Sequence, residues 1–137
     1  MMPAVQYDNE REAVVLRQQP GRKGILLVDS EESHRTTLGS LLKEEGHSVT
    51  SCATLFDAIV MIQIQPFDFV ITDHSSSGVN GLEVLEMVKR YNAKTPVLLI
   101  AALYEVEPYL AAMNSGALDY LRKPVDYLEV RRLVRSH

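Results

Sequence analysis

The sequence predicts an α/β domain, a five-stranded parallel sheet doubly wound with helices on both faces. Three observations carry that expectation. Short, nearly continuous apolar runs stand at 25–28, 67–71 and 97–101, with weaker ones at 49–53 and 117–121, as strands buried on both faces require. Stretches between the runs repeat apolar residues at helical spacing. Strand and helix signals then alternate regularly along the chain, which implies right-handed crossovers between parallel neighbours.

In chain order, residues 1–23 stand apart as an N-terminal extension and linker: 8–17 has the composition of a short helix, and 18–24 holds Pro20 and Gly21. The domain proper is expected over 24–137. Its first strand runs into Asp29. Leu38, Leu41 and Leu42 share a helical face that Gly46 terminates. After the second strand, Thr54 and Asp57 form a capping-box pattern ahead of Ile59 and Ile62, and Pro66 stops that helix. The third strand leads into Asp73. Gly81 then opens a helix with Leu82, Leu85 and Val88 on one face. Following the fourth strand, Pro108 suits a first helical turn ahead of Leu110 and Met113, with Gly116 as terminator. The fifth strand leads into Lys123 and Pro124, and Asp126 can cap a last helix through Leu133.

Composition narrows the function classes. The chain has 137 residues, 46% hydrophobic and 23% charged, enough for one ordinary core. No segment is long and apolar enough to span a bilayer, and no secretory leader pattern opens the chain, so no membrane partner is expected and the cytoplasm is the default location. Net charge is −4, which argues against nucleic acid as the partner, the basic cluster Arg131, Arg132 and Arg135 being the exception. The lone Cys52 can form neither an internal disulfide nor a paired-cysteine metal clip, and reads as a small core residue.

Chemistry in a doubly wound sheet belongs at the carboxyl ends of the strands. There Asp29, Asp73 and Lys123, distant in sequence, are expected to converge. Close carboxylates repel unless a cation intervenes, which makes Mg²⁺ with oxygen ligands a natural occupant. Asp73 can then act as a nucleophile toward a phosphoryl group, with lysine and metal offsetting the charge on the transferring oxygens. Plainer readings stand beside these: Asp29 as a helix cap, Asp73 as a turn residue, Lys123 as a solvated charge and Tyr120 as packing. His34, His47, His74 and His137 show no ligand spacing, and His74 reads as an exposed loop residue.

Several separated blocks resemble the receiver domain of bacterial two-component response regulators. They are Ile25-Leu-Leu-Val-Asp29-Ser30-Glu31, the stretch from Asp68 through Asp73 to Gly81, Pro96 through Ala101 and Ala102, and Gly116 through Tyr120 to Lys123-Pro124. The resemblance covers 24–137. It implies a flavodoxin-like strand order 2-1-3-4-5, phosphoryl acceptance on Asp73 from a histidine kinase or phosphotransfer protein, and Lys123 as its charge partner. It also implies a Mg²⁺ site formed by Asp29, Asp73 and the backbone carbonyl of Ser75, and a switch at positions 101 and 120.

The loop after the acceptor departs from the family pattern, with Ser77 in place of the usual proline and Asn80 in place of the usual aspartate, and so do two site positions. Ser30 stands where a second acidic residue is usual, so metal affinity is expected to fall. Ala101 stands where a hydroxyl is usual, removing a hydrogen bond to a charged group typically worth about 1.5 to 3 kcal/mol. Output is expected through a downstream protein partner or fused effector, since the chain ends at its fifth helix. The face bearing Glu105, Glu107, Tyr109, Tyr120, Arg131 and Arg135 matches a region the family uses for docking or homodimer formation, although a solvated charged face is the favoured reading. The domain is expected to be a signalling module and not an enzyme. An alternative is an atypical receiver whose output is phosphorylation-independent protein binding. A phosphatase with an aspartate nucleophile is disfavoured because Asp29 is followed by Ser30 and Glu31, with no second aspartate two residues on, and a flavin carrier because Glu31 and Glu32 would repel phosphate where a cradling loop is needed.

Overall fold

The computed structural model describes Val5–Gln6 and residues 21–137. The helix expected at 8–17 lies outside the described residues. The strands are β1 (Val5–Gln6), β2 (Gly24–Val28), β3 (Ser48–Cys52), β4 (Phe69–His74), β5 (Val97–Ala101) and β6 (Asp119–Arg122). The helices are α1 (Glu32–Glu44), α2 (Leu55–Ile64), α3 (Gly81–Tyr91), α4 (Val106–Asn114) and α5 (Tyr127–Ser136). Sheet order is β1-β3-β2-β4-β5-β6. From β3 to β6 every neighbouring pair is parallel, which is the expected 2-1-3-4-5 arrangement. The sequence reading placed no strand in residues 1–23, yet β1 adds an antiparallel edge, with Val5 opposite Cys52 and Gln6 opposite Ser51.

Two apolar cores lie on the two faces of the sheet, as side-chain alternation along doubly covered strands demands. Leu26, Val28, Val70 and Leu99 pack with α2, α3 and α4 residues such as Met61, Leu85 and Ala112. Ile25, Leu27, Ile71 and Leu98 pack with Leu38 and Leu42 of α1 and Val130 and Leu133 of α5. Caps set the helix starts. Thr54 Oγ1 accepts from the Asp57 amide at 3.1 Å, Asn80 Oδ1 from Leu82 at 3.1 Å, and Asp126 Oδ1 from Leu128 at 2.9 Å. Gly46 (φ +92°) and Gly116 (φ +93°) end α1 and α4 in the left-handed region that favours glycine.

Two strand boundaries differ from the hydropathy reading, for a backbone reason. The third apolar run suggested 67–71, but β4 continues through Thr72, Asp73 and His74, which pair with Leu99, Ile100 and Ala101. A polar side chain ends an apolar run without ending a hydrogen-bonded ladder. The fifth run began at Ala117, whose amide instead bonds Ala112 O at the close of α4, so β6 starts at Asp119.

Candidate functional site

β2 and β4 lie side by side at the sheet centre, so their carboxyl ends bring Asp29 and Asp73 into one crevice. Both are buried, at 1% and 4% exposure, where an unpaired carboxylate would be costly. Lys123, just beyond β6, supplies the pairing: its Nζ lies 3.3 Å from Asp29 Oδ2 and 3.2 Å from Asp73 Oδ1, with Glu31 Oε1 at 3.7 Å. One ammonium therefore bridges two carboxylates. The three groups singled out from the strand ends are brought together.

Other polar groups complete the set. Ser30 Oγ donates to Asp73 Oδ2 at 3.3 Å, and the Glu31 amide donates to Asp29 Oδ1 at 2.9 Å. Arg35 Nη1 donates to the Asp29 carbonyl at 2.7 Å. His34, on the first turn of α1, puts Nδ1 against Asp29 Oδ2, while its buried Nε2 has no hydrogen-bond partner among the described residues. Burial alone would raise the Asp29 pKa, but the His34 contact, the Glu31 amide and the Lys123 ammonium outweigh it and hold Asp29 below the ordinary aspartate range. Burial would lower the Lys123 pKa, yet the charges and hydrogen bonds of Asp29 and Asp73 push it above the ordinary lysine value.

The donor set suits a hard divalent cation. Two carboxylates face the crevice, and the Ser30 and Ser75 hydroxyls converge beside Gly78, where an added Cβ would sit 2.5 Å and 2.6 Å from their Oγ atoms. Among the described residues no three His, Cys, Asp or Glu side chains group as a metal cage. The oxygens that the described residues bring together here are those of two carboxylates and two hydroxyls, hard ligands of the kind that suit Mg²⁺.

Across the crevice the surroundings are aromatic. Ala101, at the end of β5, is buried and presents only a methyl group. Tyr120, on β6, is 4% exposed, its ring 6.1 Å from Tyr104, 6.1 Å from Tyr109 and 6.3 Å from His74. A cleft of about 500 Å³ opens here between the serine loop and the start of α4.

His74 corrects the sequence reading. It is not an exposed loop residue but the last residue of β4, half-buried, its Nδ1 accepting from the Gly81 amide at 3.0 Å. Burial lowers its pKa against the opposing charges of Asp73 and Glu105. His34 was missed as well. Its signal is weak: a helix that begins right after a strand end turns its first-turn face back onto that end.

A doubly wound parallel sheet with a carboxylate pair and a lysine at its carboxyl edge places a charge-balanced crevice where proteins of this α/β class bind their ligands. The family model of the response regulator receiver domain matches residues 25–135, and the chain belongs to that family, the receiver domains of two-component signal transduction. It is 36% identical over 107 residues to the transcriptional regulatory protein ZraR of Salmonella typhimurium, covering 78% of this chain and 24% of that protein. The chain therefore spans about a quarter of the length of that relative. Among solved structures it resembles a CheY-like receiver domain protein from Methanospirillum hungatei, with a TM-score of 0.79 at 23% identity over 83% of this chain and 91% of that one. It also resembles a response regulator from Burkholderia pseudomallei, with a TM-score of 0.74 at 20% identity over 82% of this chain and 66% of that one. No helix among the described residues is long and apolar enough to cross a membrane.

Proposed function

We propose that Asp73 accepts a phosphoryl group from the phosphohistidine of a histidine kinase or phosphotransfer protein. The observation that carries the reading is the Lys123 ammonium held 3.2 Å from Asp73 and 3.3 Å from Asp29 in a buried crevice. A carboxylate oxygen of Asp73 attacks phosphorus, the phosphorus–nitrogen bond to the donor imidazole breaks, and an acyl phosphate forms. Lys123 offsets charge on the transferring oxygens. Bound Mg²⁺, held by Asp29, Asp73 and the Ser75 carbonyl, would supply further charge neutralisation. The Burkholderia pseudomallei relative, which carries a phosphorylated aspartic acid and a calcium ion, supports this chemistry.

The same site is weakened in two respects. Ser30 offers a neutral hydroxyl where another anionic oxygen would bind the cation more tightly, so Mg²⁺ binding is weak. Ala101 gives the phosphoryl group no hydrogen bond. Leu103, exposed two residues beyond, cannot orient a hydrolytic water, so the acyl phosphate is long-lived. Output then passes to a protein partner or fused effector, a role supported by the transcriptional regulator ZraR, most of whose length lies outside the matched segment.

One observation favours a second reading, a phosphorylation-independent interaction module. Asp73 already has Lys123 on Oδ1 and Ser30 on Oδ2, and is satisfied without metal or phosphate. Phos-tag electrophoresis after treatment with acetyl phosphate and Mg²⁺, with Asp73→Asn as control, decides between them. A shifted band that the control lacks supports acceptance; identical unshifted bands select the binding module.

A further inference from the structure

His74 sits between the acceptor and the tyrosine cluster. Alternation along β4 sends its side chain to the face opposite Asp73, the face that carries Ala101 and Tyr120. Its neighbour across the ladder, Ala101, can make no side-chain hydrogen bond. Of the three rings around Tyr120, those of Tyr104 and Tyr109 come from the segment after β5, and that of His74 comes from the acceptor strand.

The other edge of the imidazole is equally committed. Gly81 is the first residue of α3, and its amide, one of the donors a helix start leaves without an intrahelical partner, finds His74 Nδ1 at 3.0 Å. Gly81 also lies so close to the acceptor that a Cβ there would be 2.6 Å from the Asp73 carbonyl oxygen and 3.0 Å from His74 Cβ. A displacement of Asp73 thus meets Gly81, and through it the imidazole. Because Nδ1 accepts, the ring proton belongs on Nε2.

We propose that His74 is a positioning residue that carries a change at Asp73 to Tyr120, joining the start of α3 by a hydrogen bond to the aromatic cluster by ring contact. The proposal deepens the reading of Asp73 as acceptor and rests on it for its role in signalling. Each function of the imidazole can be removed separately. His74→Asn keeps an acceptor for the Gly81 amide and loses the ring; His74→Phe keeps the ring and loses the acceptor.

The test perturbs the acceptor without phosphorylation. Amide and ring resonances of Tyr120 are compared by NMR between the wild-type protein and Asp73→Asn, then between the same pair in each His74 background. The expected result is a Tyr120 response in the native background that is lost in both others. A response that survives in both, or no native response at all, overturns the proposal. Should either His74 variant fail to fold, the ¹⁵N shifts of the native imidazole decide: the Nε2-protonated form is required, and a proton on Nδ1 overturns the proposal. Acceptance of a phosphoryl group is scored separately, by intact mass of the wild-type protein. Its failure would sink the acceptor reading while the resonance comparison still decides the coupling.

Discussion

The crevice at the carboxyl edge of the sheet has two halves built on different physics. On the Asp29–Asp73 side, three buried or half-buried charged groups satisfy one another, with Ser30, Glu31 and His34 taking up the remaining oxygens. On the Ala101–Tyr120 side, four rings pack edge to face or tilted, tied to the backbone by the His74–Gly81 hydrogen bond. The charged half bonds the Ser30 hydroxyl to Asp73, whereas the aromatic half has a methyl at position 101. The first is held by hydrogen bonds and charge, the second by packing.

Breaking the charged half should have the largest effect. Lys123→Met leaves two buried carboxylates unpaired, and a loss of about 3 to 5 kcal/mol in urea unfolding is expected. The Asp29 pKa should rise in the same variant, as read by ¹³C carboxyl titration. The aromatic half is best broken at Gly81. A methyl group there meets the Asp73 carbonyl oxygen, which cannot yield without moving β4 or α3, so Gly81→Ala should cost about 1 to 3 kcal/mol in the same measurement.

Acid sharpens the contrast, because only one half titrates with a depressed carboxylate. Asp29 binds its proton less readily when folded, so its contribution is fully present above the ordinary aspartate value of about 3.9 and is lost as pH falls through the lower folded value. That contribution amounts to about 1.4 kcal/mol for each unit of depression. Urea midpoints measured across that range should therefore decline in the native protein and decline less in Lys123→Met. Ala101→Thr adds a methyl and a hydroxyl at a buried position beside the cleft and should cost no more than about 1 to 3 kcal/mol. It should nonetheless enlarge the beryllofluoride-induced amide shifts at Tyr120, and unchanged shifts would place the weakness elsewhere.

Much of the fold was legible because it depends on quantities a sequence carries directly. Doubly buried strands show as apolar runs, and Thr54, Asn80, Asp126, Gly46 and Gly116 mark helix ends by chemistry local to each turn, although the capping role of Asn80 emerged only in the structure. Asp29, Asp73 and Lys123 were legible because strand ends converge whatever the side chains between them. His34 and His74 were not, since their partners are set by how a helix start turns over a strand end. Neither spacing nor composition records that angle. β1 was illegible for a different reason: two residues are too few to display alternation.

That short strand bears on how the molecule behaves among its own copies. Without that pairing the outer side of β3 would offer its backbone at Ser51 as a template onto which another chain could hydrogen-bond. Val5 and Gln6 occupy that edge in antiparallel register, so this strand acts as a guard rail for the sheet at one of its two margins. Shortening the chain to begin at Gly24 would leave the crevice chemistry in place but uncover a sticky border, with a tendency toward edge-to-edge aggregation in concentrated solution.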